Sequence, residues 1–188
     1  MTLYKEMKTE QFWDIIDAVN LASGGDMNRK CELLKARLLE LEPQEVIEFS
    51  HHFDAAESKA YSWTLWGAAY VMNGGCSDDA FMDFRATLIS LGRTTYEQAL
   101  ADPESLAEID FADEEDITYE GYQYVVIAVA EQRGIELTHL KDNSSDEPSG
   151  EEWDEGILEG LYPKLSAKYS IDDNHVTPIS NKPWWKLW

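Results

Sequence analysis

The sequence predicts an all-α fold: a single compact domain of six to eight helices, with acidic loops and an aromatic C-terminal tail. Apolar residues recur at three- and four-residue spacing in successive segments between Phe12 and Ala130. Glycine pairs and capping residues punctuate those segments where helices should stop and start. No alternating run, βαβ rhythm or internal repeat supports a substantial sheet. With 188 residues, 44% apolar and 12% aromatic, the chain is long enough to bury a core. Residues 1–169 are assigned to the helical domain, and 170–188 to a Trp-rich tail docked on that domain or on a partner.

Thr9 is placed to cap a first helix carrying Phe12, Trp13, Ile16 and Val19, which Ser23-Gly24-Gly25 ends. Asp26 caps a second helix with Cys31, Leu34, Leu38 and Leu41 on one stripe, widened by Leu33 and Ala36. Pro43 suits the first turn of a third, with Glu45 near the positive end of its dipole. That helix runs to about Met72 either as one rod or as two with a bend near Asp54. Val46, Phe49, Phe53, Ala56, Ala60, Trp63 and Ala68 lie close to one side of it.

After Asn73-Gly74-Gly75, Ser77 caps a fourth helix, which carries Phe81, Phe84, Leu88 and Leu91 and ends near Gly92. Thr95 to Leu100 forms a short helix closed by Asp102-Pro103. Leu106 to Asp116 reads as an acidic loop. Ile117 to Gln132 is rich in strand formers, which leaves a small β element near 117–129 as the competing reading. The helical spacing of Tyr122, Val125, Val126, Val129 and Ala130, with Gly134 at the cap position, favours helix. Lys141 to Gly150 is a polar linker. Ser149-Gly150-Glu151-Glu152 then has the spacing of a capping box for a last helix with Trp153, Ile157, Leu158 and Leu161, interrupted at Pro163.

The formal charge is -22, from 37 acidic and 15 basic residues. Such a field repels phosphate backbones and anionic lipid, so neither nucleic acid nor membrane is an expected partner. The charge is concentrated: 19 acids lie between Asp102 and Glu159 against only Arg133 and Lys141. A solvated face accounts for this, and so does a docking surface for a basic protein. Cys31 and Cys76 have neither metal-ligand nor disulfide-framework spacing. The first twenty residues lack the apolar core of a signal peptide, and the longest apolar run, Val125 to Ala130, is too short to span a bilayer. The expected location is the cytoplasm.

Local chemistry is densest between Trp63 and Arg93. Ser77, Asp78 and Asp79 are accounted for by capping and dipole complementation. Asp79 and Asp83 are also four apart on one helical face, so with Asp78 and a histidine they form a candidate site for a hard divalent cation, magnesium first. No cofactor is otherwise implied. His51 and His52 point about 100° apart on a helix, and His52, nearer the Phe49 and Phe53 face, is the candidate general base. Arg85 and Arg93 are expected to close internal ion pairs. Trp63, Trp66 and Tyr70 form an aromatic stripe, read first as core, with Gly67, Ala68 and Ala69 allowing close helix approach. In the tail, Trp184, Trp185 and Trp188 are candidate anchors for the parent domain, a dimer or a partner.

Several of these runs resemble a bacterial family catalogued as domain-of-unknown-function family 4240. The resemblance rests on Phe12-Trp13, His52 with Phe49 and Phe53, Leu65-Trp66-Gly67-Ala68-Ala69-Tyr70, and Gly74-Gly75-Cys76-Ser77-Asp78-Asp79. It continues through Phe81, Phe84-Arg85, Leu88-Ile89, Gly92-Arg93, Ala99 to Pro103 and Leu106-Ala107. It covers roughly residues 9–135, and more loosely Trp153 to Leu165. It implies no reaction, ligand or catalytic residue. Two function classes follow from the residues themselves. The first is an acidic interaction protein, immunity- or inhibitor-like, binding a basic partner through a face that includes Asp113, Glu114, Glu115 and Asp116. The second is a small enzyme or metal-dependent binding protein using Asp78, Asp79, Asp83 and His52. A homodimer is also left open.

Overall fold

Residues 6–137 and 147–169 are described by a computed structural model of the chain. They form α1 (Thr9–Ser23), α2 (Met27–Leu39), α3 (Pro43–Ala60), α4 (Trp63–Asn73), α5 (Asp78–Ser90) and α6 (Arg93–Ala101). These are followed by α7 (Tyr124–Arg133), α8 (Leu158–Leu161) and α9 (Pro163–Tyr169), with short 3-10 helices at Pro103–Glu108, Glu114–Thr118 and Glu155–Ile157. The fold is all-α, and the extended pairing among the described residues is an isolated parallel bridge between Ser62 and Ser149. The tail at 170–188, including Trp184, Trp185 and Trp188, lies outside the described residues.

Most helix ends follow the expected capping chemistry. Asp26 accepts the Arg29 N–H at 2.7 Å, Ser77 accepts that of Ala80 at 3.3 Å, and Pro43 opens α3. Gly74 closes α4 at φ 63°, in the left-handed region where a side chain would be strained. Thr9 does not cap α1. Lys8 is the capping residue, and its N–H donates to Gln11 Oε1 at 3.0 Å.

The run from Pro43 breaks at Tyr61-Ser62 rather than near Asp54. There Ser62 turns extended and its hydroxyl accepts the Leu65 N–H at 3.2 Å, starting α4. Ser149 does not begin a helix. Its N–H donates to the Tyr61 carbonyl at 3.0 Å and its own carbonyl accepts the Trp63 N–H at 2.9 Å, so the backbone a capping box would use is engaged elsewhere. Asp154 caps the following 3-10 helix, accepting the Gly156 N–H at 2.8 Å. Pro163 opens a helix of its own. This, and the break at Ser62, carry the helix number past the expected six to eight. The 117–132 segment is helical only from Tyr124, because a 3-10 helix capped by Asp113 precedes it and Gly121 intervenes at φ 138.

The core is built from Phe12 and Ile16 of α1, Leu34 and Leu38 of α2, Val46 and Phe49 of α3, Phe81, Phe84 and Ile89 of α5, and Val129 of α7. Phe12 lies 5.0 Å from Phe49, and Trp13 lies 4.9 Å from Tyr96, whose hydroxyl donates to the Ala56 carbonyl. On α4 the deeply buried residues are Leu65, Gly67, Ala68, Ala69 and Met72. The aromatic stripe is only half-buried, at the margin of the core. Trp66 stacks between Trp63 and Phe81 at 5.2 and 5.0 Å, and Trp153 closes the stack edge-on to Trp63. Both indoles find acceptors: Trp66 donates to the Cys76 carbonyl and Trp153 to that of Trp63.

The 147–169 segment reaches α4 most closely at Gly67. A Cβ there would sit 3.0 Å from Leu158 Cδ2 and from the Tyr162 ring, while Tyr162 donates its hydroxyl proton to the Thr64 carbonyl at 2.7 Å. Replacing Gly67 with Leu should therefore push this segment off α4. The expected loss is about 1–3 kcal/mol, measured by chemical denaturation. Wild-type stability in that variant would show that Gly67 does not hold the contact.

Candidate functional site

Where α3, α5 and the start of α7 meet, a crevice of about 170 Å³ opens, walled by Phe53, Met82, Val126, Ile127 and Leu137. Its polar lining comes from Ser50, Asp54, Glu57 and Gln123. Glu57 follows Phe53 by four residues, so it lies on the same face of α3, half-buried as a residue. Its Oε1 is buried and has no hydrogen-bond partner. Burial pushes the Glu57 carboxyl up to about 7, opposed by Arg85 and reinforced by Asp54 and Asp83.

Arg85 does not form the expected ion pair with a carboxylate. Its Nη1 donates to the Glu57 backbone carbonyl at 3.1 Å, and the guanidinium lies over the Tyr61 and Phe81 rings at 4.7 and 5.4 Å. The carbonyl it reaches is one of the last four of α3, which have no partner within the helix. Arg93 does form an ion pair, with Glu97 at 2.8 Å, at an exposed surface.

The proposed carboxylate cluster separates into distinct roles. Asp78 and Asp79 are exposed in the first turn of α5, where they complement the helix dipole. Asp83 is half-buried and accepts a hydrogen bond from Gln123 Nε2, tying α5 to α7; burial raises its carboxyl above the ordinary range. His52 donates through Nε2 to the Met7 carbonyl at 3.0 Å, and its ring packs 5.7 Å from Phe12. Met7 N–H in turn donates to Glu48, so His52 helps pin the segment ahead of α1 onto α3. Among the described residues, no group of three or more His, Cys, Asp or Glu side chains is arranged to hold a metal ion.

A second polar centre, absent from the sequence reading, surrounds Lys30. It is 1% exposed, and its ammonium donates to Ser90 Oγ at 3.2 Å. The buried stripe of α2 is Met27, Lys30, Leu34 and Leu38, not the set through Cys31, and Ala36 faces solvent. The three-four rhythm backward from Leu34 already passes through Lys30, which is the signal that could have found it. Burial brings Lys30 down to about 8, with Asp116 and Cys31 acting in the opposite direction. Asp116 is therefore half-buried opposite a cation. Asp113 accepts the Glu115 N–H at 3.3 Å and Glu115 is exposed, while the Glu114 side chain lies outside what is described.

A family model whose description is "Protein of unknown function (DUF4240)" matches residues 7–132, more than half of the chain. The match takes in the α3–α5–α7 crevice wall up to Ile127 and stops before the segment that covers α4. No curated protein and no solved structure matches the chain.

Lys30 gives a pH test of this interior. Its folded value near 8 lies below the unfolded value of 10.5, so between them the unfolded chain holds a proton the folded one has lost. Stability contributed by this group therefore rises with pH across that window. Lys30→Met should raise stability at pH 7 by roughly 2 kcal/mol and remove the rise expected in wild type between pH 8 and 10. Urea melts of both proteins across that range measure it. Equal pH slopes would place the titration elsewhere.

Proposed function

The chain belongs to that family, and from this premise we propose that it is a cytoplasmic binding protein whose acidic face, residues 102–159, docks a basic protein partner. The observation that carries this reading is the state of the acids. Asp102, Glu108, Glu115, Glu120, Glu151, Glu152 and Glu159 are exposed. Among the described residues, the ion pair involving this segment is Asp110 with Lys168, at 2.9 Å; the others lie within α2, at the end of α2 and in α6.

The acids from both ends of the segment come to one side of the fold. The Pro103–Glu108 helix packs on α9, and α8, α9 and Pro103–Glu108 all pack on α4. Glu104 joins the two ends directly, accepting the Lys164 and Leu165 N–H groups at the start of α9. A surface on which acids predominate speeds encounter with an oppositely charged partner and repels wrong ones. Free Cys31 and Cys76 support the cytoplasmic placement. No helix of the described residues is long and apolar enough to cross a membrane.

The test is affinity capture from the native host at 50 and 300 mM salt, with the recovered protein then expressed and its association rate measured. A basic partner is expected, with an association rate falling roughly tenfold or more between the two conditions. Reversing Glu115, Glu120 and Glu151 to Lys together should slow association comparably and leave the helical circular dichroism unchanged. An acidic partner, or a rate insensitive to both salt and charge reversal, would sink the reading.

A further inference from the structure

The crevice between α3, α5 and α7 has a chemistry that the acidic face does not explain. Its charged lining groups are the carboxyls of Asp54 and Glu57, with that of Asp83 beside them; among the described residues no Lys or Arg lines it. Glu57 Oε1 sits there buried and without a hydrogen-bond donor. A buried carboxylate oxygen in that state gains from any donor that reaches it, and gains most from a cationic one. The nearest cation, Arg85, is engaged only in part, because its Nε is buried without a hydrogen-bond partner. Arg85 donates to the Glu57 backbone carbonyl and is held over Tyr61 and Phe81, and it makes no ion pair with the Glu57 carboxylate.

Apart from Ser50, Gln123 and the Tyr124 hydroxyl, the rest of the crevice is apolar. Phe53, Met82, Val126, Ile127 and Leu137 form walls on which a short hydrocarbon can lie. At the mouth stand Tyr124 and Ile127, 44% and 42% exposed, two of the five large hydrophobic side chains that the described residues leave in water. The volume, about 170 Å³, is close to the roughly 150 Å³ cavity that accepts benzene in another protein. An anion would meet carboxylates without a compensating base, and a neutral hydrocarbon would leave Glu57 as it is.

The geometry points to this crevice as a binding site for a small organic cation, an ammonium head on an apolar stem of about benzene size, with Glu57 as its anionic anchor. The stem lies against Phe53, Met82 and Val126, and Tyr124 and Ile127 close over its outer end. Gln123 is held by Asp83, so the floor of the site is braced by the same bond that ties α5 to α7.

Binding is linked to proton release. Burial keeps Glu57 largely protonated below about 7, while Asp54 and Asp83 favour that form and Arg85 opposes it. An arriving ammonium selects the ionised carboxylate, so affinity rises with pH through that value and levels above it. This inference is independent of the acidic docking face, because its test uses no macromolecular partner.

The experiment titrates benzylammonium into the full chain at pH 6 and pH 8 by calorimetry and by proton–nitrogen NMR, with benzyl alcohol and benzoate as matched probes. Expected is saturable one-to-one binding of benzylammonium, roughly tenfold tighter at pH 8 than at pH 6, with shifts centred on Tyr124 and Ile127. Benzyl alcohol and benzoate should bind at least tenfold more weakly. Glu57→Gln should remove both the preference for the cation and the pH dependence. Should that variant fail to fold, Ile127→Trp in the presence of the native carboxylate closes the mouth and should abolish binding with the helical signal intact. No saturable binding, benzoate binding as tightly as benzylammonium, shifts confined to other regions, or a folded Glu57→Gln or Ile127→Trp protein that binds unchanged would each overturn the assignment.

Discussion

The end of α3 at Ala60 is the constraint on which the rest of this molecule depends. Had the helix continued through Tyr61 and Ser62, Trp63 and Trp66 would have followed Phe53 and Ala56 along one rod. Instead the chain turns extended at Ser62, pairs with Ser149 and restarts as α4. That turn brings Trp66 between Trp63 and Phe81 and sets Tyr61 under Arg85. It also exposes the last carbonyls of α3, and Arg85 donates to the one at Glu57. The guanidinium is held by that carbonyl and over the rings, so although it still favours the ionised form of Glu57 beside it, it makes no ion pair with that carboxylate.

The same use of cations recurs across the fold. Arg133 donates to the Leu41 carbonyl at 2.6 Å, just past the end of α2. Lys168 reaches the Ala107 and Ile109 carbonyls at 3.0 and 2.5 Å, at the end of the Pro103–Glu108 helix. Helix C-termini carry partial negative charge and unpaired acceptors, so a basic side chain is well placed there. With Lys30 buried against Ser90, several of the 15 basic residues are committed to the interior or to helix ends. In a chain with 37 acids this leaves the surface more negative than the formal count alone suggests.

How much of this was legible depended on whether the signal was local. Asp26, Pro43, Ser77, Gly74 and Gly134 each announce a helix end through their own backbone preferences, and all five act as expected. The break at Ser62 was not legible, because its partner, Ser149, lies 87 positions away and a lone serine in a helical run is ambiguous. Ser149 looked like a cap for the same reason in reverse: its spacing to Glu152 was right, but its backbone was already paired. Among the candidate site residues, Asp78 and Asp79 stand in the first turn of α5, where local spacing alone already put them beside the helix dipole. His52 and Asp83 were drawn into a cluster only because spacing along α5 says nothing about which neighbours α3 and α7 supply.

The sequence by itself determined the helical class, the positions of most caps and the concentration of acidic charge between residues 102 and 159. These follow from local backbone preference, from period and from counting, which need no knowledge of the fold. Tertiary structure alone decided that Lys30 meets Ser90 in the core, that Arg85 serves a helix end, and that Glu57 is left without an ion pair in a largely apolar crevice. Each of those outcomes turns on which distant group arrives first at a carboxylate, an ammonium or a carbonyl, and that competition is settled by packing rather than by the residues' own preferences.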